Sequence, residues 1–179
     1  MKHQQNDRYS SPWTVKLRVK KLLWDISWKM LCSWTPKPFA KFRVVIFRAF
    51  GGTSEGTVFI HQSARIHFPW NVTLKDRSAI GERAWIYSLD KIVLYEGSTV
   101  AQESFICTGS HDFSTPDYVL VTAPIIIQKD SFIGARAIVL PGVTIAEKTI
   151  IGAGAVISKS TEKNGVYIGN PGRIIRILN

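Results

Sequence analysis

An aliphatic side chain returns every six residues between positions 127 and 157: Ile127, Ile133, Val139, Ile145, Ile151, Ile157. Upstream, a looser version of the rhythm runs through Ile60, Ile66, Leu74, Ile80, Ile86, Leu94, Val100 and Ile106. There the steps are six or eight residues and three consecutive steps span twenty, so each turn carries two extra residues at one corner. A six-residue period matches neither an α-helix nor the simple alternation of a strand. It suits a triangular coil with one short strand per side, each side pointing one aliphatic residue inward. Stacked coils share a continuous apolar column, and no coil is stable alone. Small residues follow the inward aliphatics at Gly81, Gly134, Gly152, Ala153 and Gly154, where tight corners draw on glycine's conformational range. The pattern predicts an all-β solenoid over residues 53–168.

Residues 1–52 follow different periods. Trp13 to Val19 alternates apolar and polar, which predicts a short strand or extended arm. From Lys20 to Trp34 the pattern turns helical: Lys21, Asp25 and Lys29 recur every four residues on one face, spaced for ion pairing. Pro36 and Pro38 end this helix, because proline lacks the amide donor and restricts its predecessor. Phe39 to Phe50 reads as a second helix, stopped by Gly51-Gly52. Residues 169–179 read as a C-terminal tail.

Charge divides the chain in the same place. Residues 1–50 hold eleven Lys or Arg against two acids, a net +9, whereas residues 51–179 hold twelve against eleven, a net +1. The solenoid is nearly neutral and the basicity belongs to the N-terminal segment, which also carries four of the six tryptophans. No recognition motif accompanies the basic residues, so nucleic acid is not the expected partner. Two distant cysteines, Cys32 and Cys107, imply neither a disulfide framework nor a zinc site. Residues 1–10 lack the apolar run of a secretory signal, and no stretch reaches about 18 apolar residues, the length that spans a bilayer. The expected location is the cytoplasm.

The rhythm breaks between Ile106 and Ile125. The insert carries Cys107-Thr108-Gly109-Ser110-His111-Asp112 and then a loop to Pro124. A long loop on a repetitive scaffold is a natural place for function. His111 is its sole histidine, able to take a proton from a weakly nucleophilic alcohol near neutral pH, and the Gly109 amide is a candidate oxyanion donor. His3, His61 and His67 read as surface or structural, and Cys107 as a small buried residue.

Five stretches carry a family resemblance: Pro69-Trp70, Thr108-Gly109-Ser110-His111-Asp112, Pro141-Gly142-Val143-Thr144-Ile145, Ile151-Gly152-Ala153-Gly154-Ala155-Val156 and Gly169-Asn170-Pro171. Over residues 38–179 the chain resembles the hexapeptide-repeat acyltransferases, in particular the branch of colanic-acid biosynthesis O-acetyltransferases. That resemblance implies a left-handed β-helix, a homotrimer with active sites between neighbouring subunits, acetyl-CoA as acyl donor and a sugar hydroxyl, nucleotide- or lipid-linked, as acceptor. It implies His111 as the catalytic base, Ala135 and Ala153 beside the pantetheine arm, and Ser158, Lys159, Arg173 and Arg176 near the CoA phosphates. Tyr87, Asp90 and Asp112 fall in the acceptor region, and no metal is implied. The chain departs from the family pattern at Phe132, where many relatives have tryptophan, and at Gly172, where alanine is common.

Two alternatives accompany this reading. A carbonic anhydrase-like metalloenzyme would need about three histidines, His61, His67 and His111, to converge. A non-catalytic scaffold or membrane-tethered subunit is suggested by the basic, tryptophan-rich residues 13–50, which could meet a neighbouring subunit or the inner face of a membrane.

Overall fold

The computed structural model describes residues 11–178 of the chain. From Thr53 onward the chain winds as a left-handed parallel β-solenoid of about six turns. Three sheets form its sides. The first runs from Thr53–Ser54 through Val72–Leu74, Ile92–Leu94 and Ile125–Ile127 to Thr144–Ile145. The second begins at Phe59–Ile60 and ends at Gly165–Ile168 and Arg173–Ile177; the third runs from Arg65–Ile66 to Val156–Ile157. All fourteen aliphatics of the six-residue rhythm are 5% exposed or less, so the column predicted from spacing is the core. Arg173–Ile177, within the segment read as a tail, form an antiparallel strand on Gly165–Ile168.

Strand register shows where the coils change size. Thr53 pairs with Thr73, Phe59 with Ala79 and Arg65 with Trp85, offsets of twenty residues. Ile126 pairs with Thr144, Phe132 with Ile150 and Ile138 with Val156, offsets of eighteen. The extra pair sits between the third side and the first, at Phe68–Asn71 and again at residues 88–91. In the third coil this same corner is enlarged much further, into the segment between Phe105–Cys107 and Ile125–Ile127. The insert is therefore the last and largest expansion of one corner, after which the coils contract.

The corner glycines are required by spacing more than by backbone angle. A Cβ on Gly134 would lie 2.6 Å from the Ile151 carbonyl oxygen and 2.7 Å from the Ala153 nitrogen. Those are backbone atoms of the next coil, which cannot swing aside. The left-handed backbone of these turns falls two residues later, on Arg83, Arg136 and Gly154. This corrects the sequence expectation for Gly81, Gly134 and Gly152, none of which has a positive φ.

Two helices cap the first coils. Helix α1 spans Val15–Ser27 and continues as a π-helical turn, Trp28–Cys32. The extended arm expected over Trp13 to Val19 is not found: Thr14 caps α1, its hydroxyl accepting from the Leu17 amide at 3.3 Å. The misreading has a physical origin. Leu17 is half-buried while Val15 and Val19 are exposed, so apolar residues lie on opposite faces of one helix and imitate the alternation of a strand. Trp24, Trp28 and Cys32 face the solenoid, and Trp24 Nε1 donates to the Ile66 carbonyl at 2.7 Å. Lys21 and Asp25 pair as their spacing predicts. Helix α2, Ala40–Ala49, follows a 3₁₀ turn at Lys37–Phe39.

Arg43 of α2 is fully buried. Its Nε donates to the Ile60 carbonyl at 2.8 Å, and its Nη1 to the Thr35 hydroxyl at 2.9 Å and the Pro36 carbonyl at 3.0 Å. One guanidinium thus ties α2, the interhelix connector and the first coil together. Burial holds its pKa below the usual arginine value.

Candidate active site

The enlarged corner projects a two-stranded hairpin, Gly109–His111 paired antiparallel with Leu120–Thr122. Asp90 and Thr108 fasten its base. The Thr108 hydroxyl donates to the Tyr87 carbonyl at 2.8 Å and accepts from the Asp90 amide at 3.0 Å. The Thr122 hydroxyl donates to the Asp90 carboxylate at 3.0 Å. Asp90, read from the sequence as an acceptor contact, holds both roots of the hairpin. The Asp112 carboxylate accepts from the Ser114 amide at 3.0 Å and the Ser114 hydroxyl at 2.5 Å, closing a turn beyond the histidine.

His111 is exposed at the end of the first hairpin strand. Its Nδ1 lies 2.6 Å from the Tyr118 carbonyl oxygen. A carbonyl only accepts, so this partner assigns the hydrogen to Nδ1 and leaves Nε2 as the basic nitrogen. The Tyr118 backbone is in the left-handed region, φ +46°. Neither the partner nor its strained backbone is visible in the sequence pattern, because a carbonyl is common to every residue.

Tyr87 packs beside the hairpin root: a Cβ on Gly109 would stand 3.4 Å from the Tyr87 ring and 2.8 Å from Leu89. The Cys107 thiol donates to the Gly109 carbonyl at 3.1 Å, and burial raises its pKa. It is a small, packed residue, as its sequence context suggests. Phe68, Leu89 and Leu120 form an apolar cluster under the hairpin, joined by Trp13 and Leu17. The N-terminal segment therefore supports the histidine-bearing loop directly. A cavity of about 290 Å³ opens here between Trp13, Leu17, His67, Phe68 and Tyr87, with Arg18 and Lys21 at its edge.

His67 in this cavity packs against Phe68 and Tyr87, ring centroids 4.4 and 4.8 Å away. Burial, with Lys21 nearby, lowers its pKa to about 4, against a partial opposing pull from Asp25. The folded protein thus resists protonating a group that the unfolded chain protonates near pH 6.5. Stability is expected to be full above about pH 6.5 and to fall by roughly 1 kcal/mol per unit as pH drops toward 4. Thermal melts across that range should show a shallower decline for His67→Gln.

At the other end of the solenoid, Ser158, Lys159 and Arg173 line a second cavity of about 430 Å³ with Tyr167 and Gly172. The structure brings together three of the four residues expected near the CoA phosphates. Arg176 is exposed on the last strand, beyond that lining. Ala135 is half-buried and Ala153 exposed at the same corner of successive coils, bridged by the Gly154 amide donating to the Ala135 carbonyl at 2.9 Å. Gly172 leaves little room for a side chain: a Cβ there would meet Ile157 Cδ1 at 2.4 Å. The histidines of the metalloenzyme alternative stand apart in their bonding, with His61 on Ser63, His67 among aromatics and His111 on Tyr118. Among the described residues no group of three or more His, Cys, Asp or Glu could hold a metal ion.

Residues 124–159 match the family model described as bacterial transferase hexapeptide, six repeats. Across 158 residues the chain is 33% identical to the Escherichia coli K12 protein named as a colanic acid biosynthesis acetyltransferase, WcaF, covering 88% of this chain and 87% of that one. A maltose O-acetyltransferase structure from Clostridium difficile 630 superposes with TM-score 0.84 at 22% identity, covering 93% and 90% of the two chains. The Vibrio cholerae O1 biovar eltor hexapeptide-repeat acetyltransferase complexed with acetyl-CoA gives TM-score 0.85 at 17% identity, covering 96% and 93%. These two structures share the fold. With its six-residue coil, its hairpin-borne histidine and a relative matched over nearly its whole length, the chain belongs to the hexapeptide-repeat acetyltransferases.

Proposed function

We propose that the protein transfers the acetyl group of acetyl-CoA to a hydroxyl of a sugar used in polysaccharide synthesis, with His111 as general base. The carrying observation is the Nδ1 bond to the Tyr118 carbonyl, which turns Nε2 outward in function as the proton acceptor. His111 Nε2 takes the hydroxyl proton as the sugar oxygen bonds to the thioester carbon. It returns that proton to the sulfur as the carbon–sulfur bond breaks, so the imidazole ends neutral. The Gly109 amide is the proposed donor to the oxyanion. No covalent enzyme intermediate is required, in keeping with the packed Cys107.

The acyl donor is assigned to the contracted coils. Ala135 and Ala153 offer small side chains and accessible backbone for pantetheine amides, and Ser158, Lys159, Arg173 and Arg176 supply polar and cationic groups for its phosphates. The cavity at Ser158, Lys159 and Arg173 supports this placement. Tyr87, Asp90 and Asp112 are assigned to the acceptor side; for Asp90 and Asp112 the role is to position the hairpin, and Tyr87 borders the aromatic cavity. The working assembly is a homotrimer in the cytoplasm, with sugar acceptors nucleotide- or lipid-linked. The name of the Escherichia coli relative supports a polysaccharide precursor.

Thioester-release assays over a panel of sugars test the reading. Turnover should require a hydroxyl acceptor, and release without any acceptor dependence would overturn it. Arg173→Ala is expected to raise KM for acetyl-CoA about tenfold. KM for a truncated acetyl-pantetheine donor should not change, which separates phosphate binding from general damage.

A further inference from the structure

Helix α1 has two apolar faces. One, around Trp24 and Trp28, packs on the solenoid. The other is exposed: Val15 65%, Val19 50%, Leu22 57%, Leu23 53%, Ile26 46% and Met30 67%. With about 3.6 residues per turn these six lie along one stripe opposite the buried tryptophans. Lys16 runs along one flank of the stripe, and Arg18 and Lys29 along the other, all exposed. Trp34, 73% exposed, closes its C-terminal end. Helix α2 repeats the arrangement, with Phe42 and Val45 exposed beside Lys41 and Arg48.

An isolated exposed leucine needs no account, but a continuous stripe on a capped helix does. The stripe is convex, and cations border it on both sides. Among the exposed charged groups of α1 and its π-turn, Asp25 is the only acid, and Lys21 neutralises it. A partner must therefore be apolar in its depth and negative at its surface. A bilayer carrying anionic headgroups has that order of layers.

We infer that α1, extended by its π-turn, is an interfacial helix that docks this enzyme on an anionic membrane surface. Its apolar stripe enters the headgroup boundary and the flanking cations meet lipid phosphates. Docking is peripheral, since no helix among the described residues is long and apolar enough to cross a membrane. The inference does not depend on the acetyl-transfer reading, because the stripe includes none of the residues assigned to that reaction.

The test is co-sedimentation of the full chain with phosphatidylcholine vesicles, with and without about a third phosphatidylglycerol. The protein should pellet with the anionic vesicles and be released by salt. Leu22→Glu/Ile26→Glu should abolish pelleting while light scattering shows the same oligomer and thioester release with a soluble sugar is unchanged. Lys16→Gln/Lys29→Gln keeps the stripe intact and should weaken binding about thirtyfold, from two surface cations. The inference is overturned if the unmodified protein stays in solution with anionic vesicles, or if the two glutamates leave pelleting intact. It is equally overturned if they dissociate the oligomer, because the stripe would then be a contact between copies of the chain.

Discussion

Replacing His111 with alanine is expected to lower kcat by about 10²–10⁴-fold, the range a positioned general base contributes, while leaving the thermal midpoint almost unchanged. The side chain is exposed and makes one hydrogen bond, to the Tyr118 carbonyl, so little packing is lost. The partner supplies a control that a merely structural histidine would fail. Tyr118→Gly keeps access to the left-handed backbone found there and should keep most of the activity. Tyr118→Pro fixes φ near −65°, redirects the carbonyl and should lower kcat with little change in KM. Near-normal turnover by the alanine variant would remove His111 from the mechanism.

The largest loss of stability is expected at Arg43. Arg43→Ala should destabilise the fold by about 3–5 kcal/mol, measured by chemical denaturation. The change leaves the Ile60 carbonyl and the Thr35 hydroxyl without this donor in a buried setting and opens a cavity in the same place. Arg43→Lys should recover only part of the loss, because one ammonium cannot span acceptors that the guanidinium reaches with two nitrogens. The helical cap should loosen first, as α2, the connector and the first coil lose their common tie. A variant as stable as the parent would show that the cap depends on its tryptophans instead.

The core was legible because burial repeats. Each coil must point an aliphatic residue inward from every side, so the demand is written into the sequence at fixed spacing from Ile60 to Ile157. The breaks in that spacing were as informative, since steps of eight marked the corner from which the hairpin grows. Other features left no periodic trace. The start of α1 reads as a strand because Val15, Leu17 and Val19 serve two faces of one helix. Arg43 resembles any surface cation until its three backbone elements fold around it. The partner of His111 is a backbone oxygen, and its orientation depends on the sign of one φ angle at Tyr118. Nothing periodic marks Asp90 as the residue whose carboxylate holds a loop root.

The antiparallel strand at Arg173–Ile177 has a consequence for how the molecule ends. A parallel solenoid is open at its last coil, and an uncovered coil edge presents the same donors and acceptors that each coil offers the next. Here the chain reverses and lays Arg173–Ile177 along that edge in one of the three sheets, while Arg43 and α2 close the opposite end. Without the reversal, that sheet's donors and acceptors would be open to a strand of another molecule. Arg173–Ile177 therefore blunt one edge as well as adding to the fold.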